Sequence, residues 1–165
     1  MKATHGNVEY RQPPARKSMH ARIVHDLGMR ILGGELEPGA AALAAAAASD
    51  EQLAGIAQAY EGMAAAPDAD AMLEPDLAFH RRIAEATNND LLAYIGNMLS
   101  LALRESIKLS SKHPNTHALS LPRHKAILTA LLHRDPLAAH QATLVQLKET
   151  REDITEILES GLDLR

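Results

Sequence analysis

The chain contains no cysteine, and aromatic residues make up only 2% of its 165 positions. The absence of cysteine excludes disulfide bonds and thiolate metal sites, so a transition metal would need imidazole, carboxylate or amide ligands. Nine histidines leave that route open. Because aromatic residues are scarce, the core must consist of Leu, Ile, Ala and Met, a composition that favours closely packed helices over sheets. We therefore predict an all-α fold.

Long hydrophobic runs are also absent. No apolar stretch approaches the roughly 18 residues of a membrane span, and the N-terminus lacks the apolar core of a signal peptide. At 165 residues the chain has the size of one ordinary domain. We therefore expect a soluble, cytoplasmic protein that has no membrane partner.

An excess of positive charge is found only in the N-terminal segment. Residues 1–34 hold six Lys or Arg and two acids, whereas the remaining residues hold eleven and nineteen. Residues 1–16 have no apolar period and contain two prolines, which predicts a disordered or extended arm. A short basic helix follows, and its apolar face consists of Ile23, Val24, Leu27 and Ile31.

The middle of the chain carries helix signals separated by turns. Pro38 and Gly39 predict a turn, after which a run of alanines favours helix. Ser49 and Gln52 have the spacing of a capping box. The following helix is expected to begin near Pro75, a residue suited to the first helical position.

The C-terminal half predicts a long apolar helix and then a helical hairpin. Asn89, within an Asn-Asn-Asp run, is expected to cap the long helix. A further helix is expected to begin at Pro122. Asp135 and Pro136 predict the cap and first position of the last helix, so the two final helices should lie antiparallel.

Four polar residues can converge in this arrangement. Asp76 and His80 are four residues apart, a spacing that stacks two side chains on one helix face. His124 lies eleven residues before Asp135 and Gln146 eleven after it, so both lie roughly 16 Å from the turn of the hairpin. If the helix of Asp76 packs beside the hairpin, the interior gains one carboxylate, two imidazoles and one amide, a set suited to zinc, nickel or a similar ion.

Simpler interpretations exist for each residue. Asp76 is also placed to stabilise a helix N-terminus near Pro75, with His80 as a solvated histidine one turn later. His124 alone is more often a surface histidine or a core histidine with a hydrogen-bond partner, and Gln146 is equally consistent with an ordinary polar residue. The spacing of two residues does not decide between these alternatives.

A wider pattern adds to this evidence. The stretches "DLAFHRRIAEATNNDLL" and "RHKAILTALLHRDPLAAHQATLVQL" contain D-x-x-F-H, A-x-x-N-x-x-L and H-x-x-I-x-x-A-x-x-x-x-D. In this pattern the chain resembles the C-terminal sensor domain, called FCD, of FadR-type regulators in the GntR family, over about residues 43–158. The resemblance implies an antiparallel helical bundle that senses an effector.

The resemblance also implies a ligand set for a divalent transition metal, with zinc or nickel favoured. It places metal ligands at Asp76, His80 and His124, whereas Gln146 takes the position of the family's last histidine. A neutral amide oxygen is a weaker donor than imidazole, so weaker binding is expected. A homodimer and a small carboxylate effector are further implications. Arg104 could pair with the effector through its planar fork, or be an ordinary exposed arginine.

The N-terminal segment "HARIVHDLGMRILGGELEPG" is similar to the opening of the GntR winged-helix domain. Nothing resembling a recognition helix follows, so we divide the chain into an arm (1–16), a winged-helix remnant (17–39) and an FCD-like domain (40–160). An intact family member would bind operator DNA. For this chain we expect weak DNA binding without sequence preference, by phosphate contacts from a few basic residues, namely Arg16, Lys17, Arg22 and Arg30.

Two other functions remain alternatives to effector sensing. A histidine-rich metal site with an open position could activate water, which would make the chain a metal-dependent enzyme. No catalytic carboxylate or nucleophile is placed beside the site by sequence, so we expect a protein that is not an enzyme. The other alternative is a structural metal site in a dimerisation module.

Overall fold

The computed structural model describes residues 36–112 and 115–159, and these residues form helices without any strand. There are six described helices, in chain order: α1 Glu37–Ala47, α2 Asp50–Ala65, α3 Ala69–Glu85, α4 Asp90–Ser110, α5 Thr116–Leu132 and α6 Pro136–Glu159. This confirms the predicted all-α fold. Among these helices, none combines the length and the apolar character needed to cross a bilayer. The arm, the basic helix and the four basic residues expected to contact DNA lie outside the described residues.

The predicted helix caps are confirmed. Ser49 and Gln52 form a reciprocal capping box at the start of α2. The Asn89 side chain accepts from the backbone N–H groups at the start of α4. Asp135 accepts from the Ala138 N–H, and α6 begins at Pro136. Because only three residues separate α5 from α6, the two helices form the expected hairpin.

The predicted turn at Pro38 and Gly39 is wrong, because both residues lie in the first turn of α1. Proline is tolerated there, since the first backbone N–H groups of a helix have no intrahelical partner. The alanines of α1 line its buried side and let it approach α3, α5 and α6 closely. The boundary drawn between residues 39 and 40 therefore falls inside one continuous helix.

Two helices begin earlier than predicted. Helix α3 begins at Ala69, where the Asp68 side chain caps it, and Pro75 lies inside the helix. Helix α5 begins at Thr116 and includes Pro122 in its interior. In α3 the extra turn buries Met72 completely, and this packing offsets the backbone hydrogen bond that Pro75 removes.

The core surrounds Phe79, the only phenylalanine of the chain, which is fully buried on α3. Helix α4 packs closely against α3 at Gly96. A Cβ atom at this position would lie only 3.0 Å from the Cβ atom of Ala84, a tight contact that glycine avoids. The opposite face of α4 leaves Leu91, Tyr94 and Met98 more than half exposed. The buried core therefore lies between α1, α2, α3, α5 and α6.

Candidate metal centre

Asp76 and His80 lie in the interior of α3 and point into the bundle. Only 6% of the Asp76 side chain and 9% of the His80 side chain are exposed, and His80 Nε2 is 3.2 Å from Asp76 Oδ1. Because α3 begins at Ala69, Asp76 is far from the helix N-terminus. The interpretation of Asp76 as a helix-end acid and of His80 as a solvated histidine is therefore wrong.

His124 approaches the same carboxylate from α5. It is 1% exposed, and its Nε2 lies 3.3 Å from Asp76 Oδ1 and 3.2 Å from His80 Nε2. The other ring nitrogen, Nδ1, lies 2.9 Å from the backbone carbonyl oxygen of Ser120. A carbonyl only accepts, so Nδ1 must donate, which leaves the Nε2 lone pair of a neutral ring directed at the cluster.

The three donor atoms form a nearly equilateral triangle with sides of 3.2, 3.2 and 3.3 Å. With metal–ligand bonds of about 2.1 Å, neighbouring donors are about 3.4 Å apart in a tetrahedron and about 3.0 Å apart in an octahedron. Asp76 Oδ1 is buried and has no hydrogen-bond partner, although both histidine nitrogens are near it. The spacing and the unpartnered oxygen fit three ligands directed at one ion.

Phe79 encloses the cluster on one side. Its ring makes edge contacts with both imidazoles, with centroid distances of 5.7 Å to His80 and 5.2 Å to His124. An apolar wall of this kind excludes water and limits ring rotation, so it holds the two imidazoles in place.

Gln146 lies on α6, the helix that pairs with α5. It is 6% exposed, and its side-chain oxygen Oε1 is buried without a hydrogen-bond partner. A buried amide oxygen without a partner costs free energy unless an ion or water satisfies it. Its role as a ligand stays a prediction.

Glu37 was missed by sequence reasoning. It is the first residue of α1, and although part of the residue reaches the surface, its carboxylate oxygen Oε2 is buried without a hydrogen-bond partner. The signal in the sequence was the acid followed by Pro38, a combination typical of a first helical turn. It predicts a helix start but does not show that the acid points inward.

The buried charges shift one another's protonation. Burial lowers the pKa of His80, but the carboxylates of Glu37 and Asp76 outweigh this effect and raise the pKa to about 9. Burial raises the pKa of Asp76, but His124 and His80 more than compensate and hold it well below its usual range. Burial also raises the pKa of Glu37, against the opposing effect of His80. The metal-free cluster therefore holds a proton at His80 at neutral pH.

A cavity of about 60 Å³ borders the cluster, with His80 and Glu37 in its wall. The rest of the wall is mainly apolar and comes from α1, α3, α4, α5 and α6, with the following residues among its lining: Leu36, Ile83, Leu92, Ile95, Leu103 and Ile127. A space of this size holds a few water molecules or a small ligand. The cavity therefore provides an enclosed, mainly apolar space next to the candidate metal ligands.

Arg104 lies on α4 and does not line this cavity. Its guanidinium makes a two-point contact with the Glu74 carboxylate, at 2.6 and 3.1 Å, and both side chains are exposed to solvent. The arginine in the cavity wall is Arg81. The proposed contact of Arg104 with an effector stays a prediction.

Comparison with known proteins identifies a family and a similar solved structure. Residues 33–149 match the FCD domain. Among solved structures, the GntR protein of Streptococcus agalactiae is similar, with 26% identity, a TM-score of 0.66 and coverage of 82% of this chain. The chain spans 61% of the length of that structure. No curated protein matches. The FCD match includes residues 33–39, which the sequence pattern had assigned to a winged-helix remnant.

Proposed function

Since the chain belongs to the GntR-family regulators that carry an FCD domain, we propose that it forms the metal-binding, effector-sensing part of a cytoplasmic transcription regulator. This family consists of regulators and not of enzymes, which confirms the expectation that the chain is not an enzyme. The effector is a small organic acid. The functional unit is a homodimer, and in the intact protein the effector biases how two DNA-binding domains are held.

One observation carries this proposal: three ligand atoms on two helices lie within 3.3 Å of one another, and one of the three residues, His80, lines a small, mainly apolar cavity. Asp76, His80 and His124 would hold the ion, and zinc or nickel suits this combination of imidazole and carboxylate. When bound, the metal supplies a positive centre that attracts an anionic oxygen of the effector.

The side chains of the chain itself do the remaining work. The Ser120 carbonyl fixes the His124 tautomer, so that Nε2 faces the cluster. Phe79 excludes water from the two imidazoles, and the apolar wall favours the hydrocarbon part of a small acid over a water cluster. Because α1, α3 and α5 each contribute to this wall, a ligand in the cavity contacts several helices at once and can change how they pack.

The test is the metal content of protein purified without chelator. We expect up to one zinc or nickel ion per chain in the wild type and none in His80→Ala, because the loss of one imidazole leaves two strong donors. His133→Ala is the matched control, since His133 is exposed at the end of α5 and should leave the metal unchanged. Equal metal in wild type and His80→Ala would contradict the proposed site.

The effector is tested by thermal unfolding with small carboxylates, with and without metal. A carboxylate that raises the Tm only of the metal-loaded protein supports effector sensing. A metal-dependent rise in Tm that no carboxylate increases would favour a structural metal site.

A further inference from the structure

The N-terminal end of α1 places a second carboxylate in the wall of the cavity that also contains His80. Glu37 Oε2 is buried without a hydrogen-bond partner, as is Asp76 Oδ1. An ionised carboxylate in this position is costly unless a cation or a donor satisfies it. Among the described residues, no Lys or Arg forms an ion pair with Glu37, and the charges that act on it are those of the candidate ligands His80, Asp76 and His124.

The packing of α1 explains why Glu37 lies beside this cluster. Helix α1 contacts α3, which carries Asp76 and His80, α5, which carries His124, and α6, which carries Gln146. Glu37 and His80 also share the wall of the same cavity. Helix α1 thus completes the ring of helices around the site, and its first side chain carries a buried acceptor without a hydrogen-bond partner, as do Asp76 and Gln146.

Because Gln146 takes the position of the family's last histidine, the ligand set lacks one strong donor. Gln146 offers a neutral amide oxygen, whereas Glu37 offers an anionic one. A divalent ion held by two carboxylates and two neutral imidazoles would leave the buried centre without net charge, which lowers the cost of burial. The ligand atoms of Asp76, His80 and His124 lie within 4.8 Å of one another, and Glu37 lies outside this group. We propose that the Glu37 side chain turns toward the ion as a fourth protein ligand, so that two carboxylates and two imidazoles hold the metal.

This ligand set has a consequence for metal preference. Carboxylate oxygens suit harder ions such as Mn²⁺, whereas imidazole suits zinc and nickel. Adding Glu37 therefore raises the affinity for Mn²⁺ relative to zinc, compared with a site of one carboxylate. The proposal rests on the metal site proposed above, and the experiment separates failure of Glu37 as a ligand from failure of that site.

The experiment uses Co²⁺ as probe, because its visible absorption spectrum depends on the ligands bound directly to it. Wild type, His80→Ala, Glu37→Gln, Glu37→Asp and the control Glu61→Gln are titrated as full-length chains, with circular dichroism and the metal-free Tm as tests of folding. Glu61 is exposed on α2, so Glu61→Gln makes the same change in charge away from the site. Mn²⁺ and Zn²⁺ affinities are measured by competition with a chelator.

We expect Glu37→Gln and Glu37→Asp to change the Co²⁺ spectrum and to weaken Mn²⁺ binding by about 10-fold or more, with a smaller loss for Zn²⁺. Glu37→Asp keeps the negative charge but shortens the side chain by one methylene, so it tests whether the carboxylate contacts the metal directly. A wild-type spectrum in both variants, with or without weaker binding, would place Glu37 outside the coordination sphere and overturn the proposal. If His80→Ala abolishes binding while the Glu37 variants match wild type, the metal site stands and only the assignment of Glu37 as a ligand is refuted. If wild type binds no Co²⁺, both proposals fail.

Discussion

The raised pKa of His80 predicts that metal binding depends on pH over an unusually high range. Free imidazole has a pKa of about 6.5, whereas the carboxylates of Glu37 and Asp76, against the opposing effect of burial, raise that of His80 to about 9. A ligand histidine must be neutral, so between these two values the metal has to displace a proton from His80.

The size of the effect follows from the difference between the pH and this pKa. Below pH 9 the apparent metal affinity should fall about 10-fold for each unit of pH, because one proton competes for the site. At pH 7 the affinity is therefore about 100-fold below its value on the alkaline plateau, a difference of about 3 kcal/mol. A site built on a histidine of ordinary pKa would reach its plateau near pH 7.

The assay is competition for Ni²⁺ with a chelator between pH 6.5 and 9.5, corrected for protonation of the chelator. Calorimetry at pH 8 in two buffers of different ionisation enthalpy then counts the protons released. We expect at least one proton per ion and an affinity that still rises above pH 8. A plateau below about pH 7.5 without proton release at pH 8 would refute the electrostatic coupling of Glu37 and Asp76 to His80.

Two further substitutions test the neighbouring residues. Gln146→His should tighten Ni²⁺ or Zn²⁺ binding by about 10-fold, or about 1.4 kcal/mol, because imidazole is the better donor; an unchanged affinity in the same competition assay would show that position 146 does not face the metal. Arg104→Ala should leave the midpoint of urea unfolding nearly unchanged, since its pair with Glu74 is exposed and contributes little to stability. It should also retain any Tm rise caused by an effector, and loss of that rise would place the effector at Arg104.

The sequence predicts those parts of the structure that depend on local signals. Caps at Ser49, Asn89 and Asp135 are recognisable because a short polar side chain precedes an apolar period. The meeting of His124 with Asp76 follows from the geometry of a hairpin and its neighbouring helix, and the structure brings these two residues within 3.3 Å.

The features that the sequence does not predict depend on tertiary packing. The prolines at positions 75 and 122 predict starts of α3 and α5 that are too late. In α3 the burial of Met72 outweighs the local preference of Pro75 for the first helical turn. The inward direction of Glu37 could not be read from α1, since a run of alanines has no distinct apolar face. The raised pKa of His80 depends on the same Glu37 carboxylate, so the sequence alone does not predict it either.

The packing of α1 against α6 has a consequence for how the protein is made. These helices are roughly 100 residues apart in sequence, yet α1 makes more of its contacts with α6 than with any other helix. During synthesis α1 therefore leaves the ribosome long before its main partner exists, and such distant contacts form late in folding. Its alanines expose little apolar surface during that interval, which limits aggregation of the nascent chain. A metal ion bound between the early and late segments would then secure the closed bundle, because it links residues that the unfolded chain keeps far apart.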